Sequence, residues 1–99
     1  MFGLEEKHLK YIKKVLEETF INEDAKFFIF GSRAKGTNLK YSDIDIAIKL
    51  NNNTVSLDVL GKLLIQFKDS TLPYEVDIVD LNNIDENFKN SIQNSLVEI

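Results

Sequence analysis

Three aspartates and one glycine–serine pair are the residues of this 99-residue chain whose types and spacing suit chemistry. Asp43 and Asp45 stand two apart in the run Ser42-Asp43-Ile44-Asp45-Ile46-Ala47-Ile48. Residues at i and i+2 of a strand project to the same face. Two like charges on one face destabilise a sheet unless something offsets them. Asp77, in Val76-Asp77-Ile78-Val79, adds a third carboxylate if its strand lies alongside. A hard divalent cation resolves the conflict, because Mg²⁺ favours carboxylate oxygens and substrate phosphates. Asp43 and Asp45 are therefore expected to be metal ligands. With two ions about 4 Å apart, one activates an attacking hydroxyl and the other holds a triphosphate. Asp77 is expected to bind the first ion and to orient or deprotonate the acceptor hydroxyl. Glu75 shares a face with Asp77 and is an alternative ligand, whereas Asp80 has the opposite parity and is expected in a turn.

Gly31-Ser32 follows the apolar run Phe27-Phe28-Ile29-Phe30. A glycine there lets the backbone approach a phosphate without obstruction, and Ser32 offers a hydroxyl and an amide N–H. If Arg33 to Lys35 open a helical turn, its free N–H groups face the same anion. Gly31, Ser32 and Arg33 are thus the expected nucleotide-binding residues. Lys35 is as readily a solvated surface residue. The loop is not a Walker A loop, which needs a second glycine followed by Lys and Ser or Thr.

These residues must be held by regular elements. Leu4, His8, Tyr11, Ile12, Val15, Leu16, Thr19 and Phe20 recur at helical spacing, which predicts an amphipathic helix from about Leu4 to Phe20. Phe27 to Phe30 reads as a buried strand, and Ser32 to Gly36 as a short helical turn. Asp43 to Leu50 alternates with period two, the mark of a strand with one buried side. Ser56 is a plausible N-cap for a helix carrying Leu57, Leu60, Leu64 and Phe67; Ser70 to Pro73 ends it. Tyr74 to Leu81 is a third strand. Asn83, with Glu86 three residues on, predicts the cap of a last helix with the stripe Ile84, Phe88, Ile92 and Leu96. The order α-β-(short α)-β-α-β-α implies one sheet covered by helices, an α/β domain spanning residues 1–99. His8 on the first apolar stripe is expected to pack rather than react. Tyr11, Tyr41 and Tyr74 are expected at the edge of the core.

Composition bounds the rest. A net charge of -4 argues against direct nucleic-acid binding, which relies on phosphate neutralisation. It leaves a nucleotide substrate open, because a bound cation reverses the local field. With no cysteine, neither a disulfide nor a thiolate metal site is possible. No apolar run is long enough to cross a bilayer, and the charged N-terminus does not resemble a signal peptide. No membrane association and a cytoplasmic location are expected.

Gly31-Ser32, ten residues and then Asp43-Ile44-Asp45 resemble the signature of the DNA polymerase β-like nucleotidyltransferase superfamily. The fuller run Phe30-Gly31-Ser32-Arg33-Ala34-Lys35-Gly36, with Ser42 to Ile48, is similar to its minimal nucleotidyltransferase branch. Val76 to Val79 resembles the strand bearing the third carboxylate. The resemblance implies a nucleotidyltransferase fold, with a mixed, mostly antiparallel sheet of three to four strands flanked by helices. It implies two Mg²⁺ ions and ATP. Many members of the branch are antitoxins that transfer AMP onto a tyrosine of a HEPN-domain ribonuclease toxin, so such a toxin is the expected partner. A small-molecule or RNA acceptor, and an antitoxin that works by binding alone, are the alternatives.

Overall fold

The computed structural model describes residues 1–99. Its elements are α1 (Glu6–Thr19), β1 (Ala25–Phe30), α2 (Ser32–Lys35), β2 (Ile44–Leu50), α3 (Leu57–Lys68), β3 (Val76–Asp80), α4 (Glu86–Ile92), a 3₁₀ turn (Gln93–Ser95) and β4 (Val97–Glu98). One sheet runs in the order β3-β2-β1-β4. β1 pairs antiparallel with β2 and with β4, while β2 and β3 are parallel. The sheet is therefore mixed and mostly antiparallel.

The period-two pattern of β2 divides the core. Ile44, Ile46, Ile48 and Leu50 lie in the larger cluster with Ile29 of β1, Ile12, Val15 and Leu16 of α1, and Leu63 and Phe67 of α3. α1 has no side-chain N-cap bond, a feature worth about 1 kcal/mol where present. Burying each of its three core side chains is worth about 1.5–3 kcal/mol, so packing rather than capping holds it. α3 has both devices, for Ser56 accepts the Val59 N–H at 3.2 Å as its N-cap.

The opposite face of the sheet carries a smaller cluster. Phe30, Ala47, Leu81 and Ile92 are buried there, with Phe28, Val79, Ile84 and Leu96 against them. Phe88 of α4 meets Phe30 edge-on, ring centres 6.3 Å apart. α4 thus packs on this face beside Phe30.

The chain's end departs from its sequence pattern. Asn83 does not cap α4; its N–H instead bonds the Asp80 carbonyl in a turn. Asp85 is the N-cap and accepts the Phe88 N–H at 3.3 Å. Leu96 lies beyond the helix, which gives way at Gln93 to the 3₁₀ turn and then to β4. Sheet pairing with β1 overrides the helical spacing of Leu96. Asp80 also differs from the turn residue expected. It closes β3, is 4% exposed, and accepts the Val55 N–H at 2.6 Å and the Asn82 N–H at 3.0 Å. Its carboxylate satisfies loop amides that burial would otherwise orphan.

Candidate active site

Register brings the acidic residues together. In the β1–β2 pair, Phe30 stands opposite Asp45; in the β2–β3 pair, Asp45 stands opposite Asp77. Adjacent strands lie about 4.8 Å apart, so this pairing fixes the spacing of the two backbones. Asp43 immediately precedes β2 in extended chain, on the parity of Asp45. All three share the parity of the face on which α4 packs. Asp43 and Asp77 are exposed and Asp45 is half-buried. Glu75 is exposed on the same parity, and its carbonyl accepts the Ile44 N–H at 2.9 Å.

Gly31 closes the site from β1. Its φ of 73° and ψ of -152° lie in a region open essentially to glycine alone. A Cβ on Gly31 would overlap the Asp45 carboxylate. The glycine turn and the carboxylate are therefore in direct apposition. Ser32 follows as the first residue of α2, a single turn ended by Gly36 in the left-handed region at φ 76°.

Electrostatics mark the same point. The Asp45 carboxyl is held above its ordinary range, first by burial, then by the charge of Asp77, then by that of Asp43. Desolvation and like charge both disfavour its ionised form. No three acidic or histidine side chains are gathered tightly enough to form a finished cation cage. The carboxylates line one face and share one field without closing on a point. The donor set nonetheless suits a hard cation, since it is all oxygen, uniformly anionic and already in electrostatic conflict. Asp43, Asp45 and Asp77 make up that set.

A stability prediction follows from this conflict. The folded state binds the Asp45 proton more tightly than the unfolded chain does. The associated stability is full below the ordinary carboxylate range and is lost as pH rises through the raised value. Metal-free protein should therefore weaken across that window, and Asp45→Asn should flatten the dependence. At neutral pH the variant should be more stable, by up to about 1 kcal/mol. Urea midpoints measured in chelator at several pH values check this; a variant with wild-type slope would refute it.

Arg33 sits elsewhere than sequence reasoning placed it. Its side chain is 2% exposed. Nη1 donates to the carbonyls of Phe2 and Gly3 at 2.9 and 3.3 Å. Nη2 donates to those of Lys40 and Ser42 at 3.2 and 2.9 Å, and Nε donates to Ser42 at 3.1 Å. The guanidinium carbon lies 4.6 Å from the centre of the Tyr74 ring. The group is directed inward, onto backbone carbonyls, rather than outward to a phosphate. Lys35, by contrast, is exposed on α2. The clue to Arg33's position was the loop that follows it. Five donors suit a cluster of orphan carbonyls, but nothing in local spacing says that Phe2 and Gly3 are among them. His8 packs edge-on against Tyr74 with ring centres 5.6 Å apart, as a packing residue should.

No helix is long and apolar enough to cross a membrane. Residues 9–99 match the family model of the nucleotidyltransferase domain. The chain is 31% identical over 96 residues to a protein of Haemophilus influenzae described as "probable protein adenylyltransferase MntA", covering 97% of this chain and 82% of that protein. Among solved structures, one described as a toxin–antitoxin with AMP-PNP is 28% identical with a TM-score of 0.58, covering 78% of this chain and 62% of that one. The chain thus spans less than two thirds of that neighbour. A "putative nucleotidyltransferase" from Sulfolobus solfataricus is 25% identical with a TM-score of 0.55, covering 91% of this chain and 77% of that one. The motif predicts this fold, the register assembles it, and the match runs through every strand: the chain belongs to the nucleotidyltransferase domain family and is a nucleotidyltransferase of the minimal type.

Proposed function

We propose that the chain transfers AMP from ATP to a tyrosine hydroxyl of a HEPN-type toxin and so acts as its antitoxin. The observation that carries the chemistry is the register that sets Asp45 opposite Asp77, with Gly31 against the Asp45 carboxylate. The choice of AMP and of a protein acceptor is supported by the likeness to a protein described as a probable adenylyltransferase and to a toxin–antitoxin structure with an ATP analogue. Mg²⁺, when bound, would neutralise phosphate charge and lower the proton affinity of the acceptor hydroxyl.

In this reading Asp43 and Asp45 anchor the cation and the triphosphate attached to it. Gly31, free of a side chain, lets the triphosphate settle against the turn, with Ser32 offering its hydroxyl and N–H. Asp77 orients the acceptor hydroxyl and takes its proton. The acceptor oxygen then bonds to the α-phosphorus, the bond from that phosphorus to the bridging oxygen breaks, and pyrophosphate leaves. We place the reaction in the cytoplasm.

The test is incubation with α-labelled ATP, Mg²⁺ and a HEPN-type toxin as the candidate acceptor. Label is expected on a tyrosine of that partner, and chelation is expected to stop its appearance. Label found only on small molecules or RNA, or neutralisation of the partner without any label, would overturn the reading.

A further inference from the structure

Arg33 belongs to the sequence motif beside the glycine–serine turn, yet its guanidinium spends every donor group inside the protein. The carbonyls it engages lie in two separate segments, Phe2–Gly3 and Lys40–Ser42. The second segment leads directly into Asp43. The ring under the guanidinium is that of Tyr74, which leads through Glu75 and Val76 into Asp77. Arg33 itself is the second residue of α2, one peptide from Ser32. A single buried side chain next to Ser32 thus touches both segments that lead into the carboxylates, one into Asp43 and one into Asp77.

We infer that Arg33 is a positioning residue for nucleotidyl transfer, and that the N-terminal segment Met1–Leu4 is part of the scaffold it fastens. The inference rests on the assignment of Asp43, Asp45 and Asp77 to the reacting centre. The loop from Thr37 to Ser42 contains no strand and only short-range hydrogen bonds of its own. The Leu39 N–H donates to Ser42 Oγ at 2.8 Å, and the Ser42 N–H donates to the Leu39 carbonyl at 3.2 Å. Such a loop is mobile unless tied to something rigid. Arg33 supplies that tie through a planar fork whose geometry an ammonium cannot copy.

The N-terminal segment shows the same design from the other side. Residues 1–8 lie outside the family match, which begins at residue 9. Even so, Leu4 is buried in the main core. Phe2 and Gly3 both take positive φ, 60° and 67°, and both carbonyls accept from Arg33. A side chain is unfavourable at that φ, and glycine at position 3 also meets a spatial demand. A Cβ there would lie 2.6 Å from Asn38 Nδ2 and 3.2 Å from Arg33 Nη1. The segment is therefore fitted against both the arginine and the loop that precedes Asp43.

Arg33→Lys, Arg33→Met and Gly3→Val test this, with AMP transfer from α-labelled ATP measured alongside thermal unfolding and amide hydrogen exchange. Positioning predicts that both Arg33 variants lose about 100-fold in kcat, even well below their unfolding temperatures. It also predicts loss of amide protection at Leu39 and Ser42, while the amides of β1 and β2 keep theirs. Gly3→Val, which keeps the Arg33 side chain, is expected to lose about tenfold by a smaller displacement of the same loop, and it carries the test if the Arg33 variants do not fold. A lysine that restores the wild-type rate would mean that charge near phosphate is what matters. A rate per folded molecule that recovers in the cold would mean that Arg33 serves stability alone. Either result, or unchanged loop protection, overturns the inference. Absence of transfer by the wild type would instead strike the proposed function, and the exchange measurements would still decide for or against Arg33.

Discussion

Asp45→Asn is expected to lower AMP transfer by about 10³-fold or more, as does removal of a group that stabilises charge developing in a transition state. The same variant should remain folded, because the substitution relieves the burial and like-charge cost that raises the Asp45 proton affinity. Loss of activity with a gain in metal-free stability is the signature of a residue kept for chemistry at the expense of the fold. Asp43→Asn should show a comparable loss of transfer with a smaller change in stability, since Asp43 is exposed. Both should still bind a protein partner. Transfer that persists in the two variants would remove the carboxylate face from the mechanism.

Gly31→Ala is the second large effect. The added methyl group must sit where Asp45 now places its carboxylate, and the backbone must keep a conformation that alanine resists. The conformational term alone costs of order 1–3 kcal/mol. Relief by moving Asp45 shifts a reacting group, and a displacement near 1 Å costs about 100-fold in rate. Gly31→Ala should therefore lose stability and activity together, where Asp45→Asn separates them. Chemical unfolding and labelled transfer, run on both variants, check the contrast. A Gly31→Ala protein with wild-type turnover would show that the turn is not adjacent to the reaction.

Much of this site was legible before folding because it is written in parity and punctuation. Asp43 and Asp45 share a face by alternation alone, Gly31 ends an apolar run, and Ser56 caps α3 as its position suggests. What sequence does not encode locally is register. That Asp45 faces Asp77, and that β2 and β3 run parallel, depends on α3 crossing back over the sheet. The same limit hid β4, whose Leu96 fits a helical stripe until β1 offers its edge. Arg33 reads as a phosphate contact because its neighbours are Gly31 and Ser32; only the fold reveals that four distant carbonyls claim it first. Asp80 misleads in a similar way, since its burial depends on the loop around Val55 rather than on its own strand.

The pairing of Asp45 with Asp77 has one more consequence. Their separation is a repeat of the backbone hydrogen-bond lattice, not a product of side-chain fit. A lattice repeat does not stretch by degrees: two strands are either bonded or apart. Core substitutions that merely loosen α1 or α3 should leave the spacing of these two backbone positions unchanged until the sheet itself opens. For that class of core variant, the Asp45–Asp77 backbone spacing should be lost only in the step that opens the sheet.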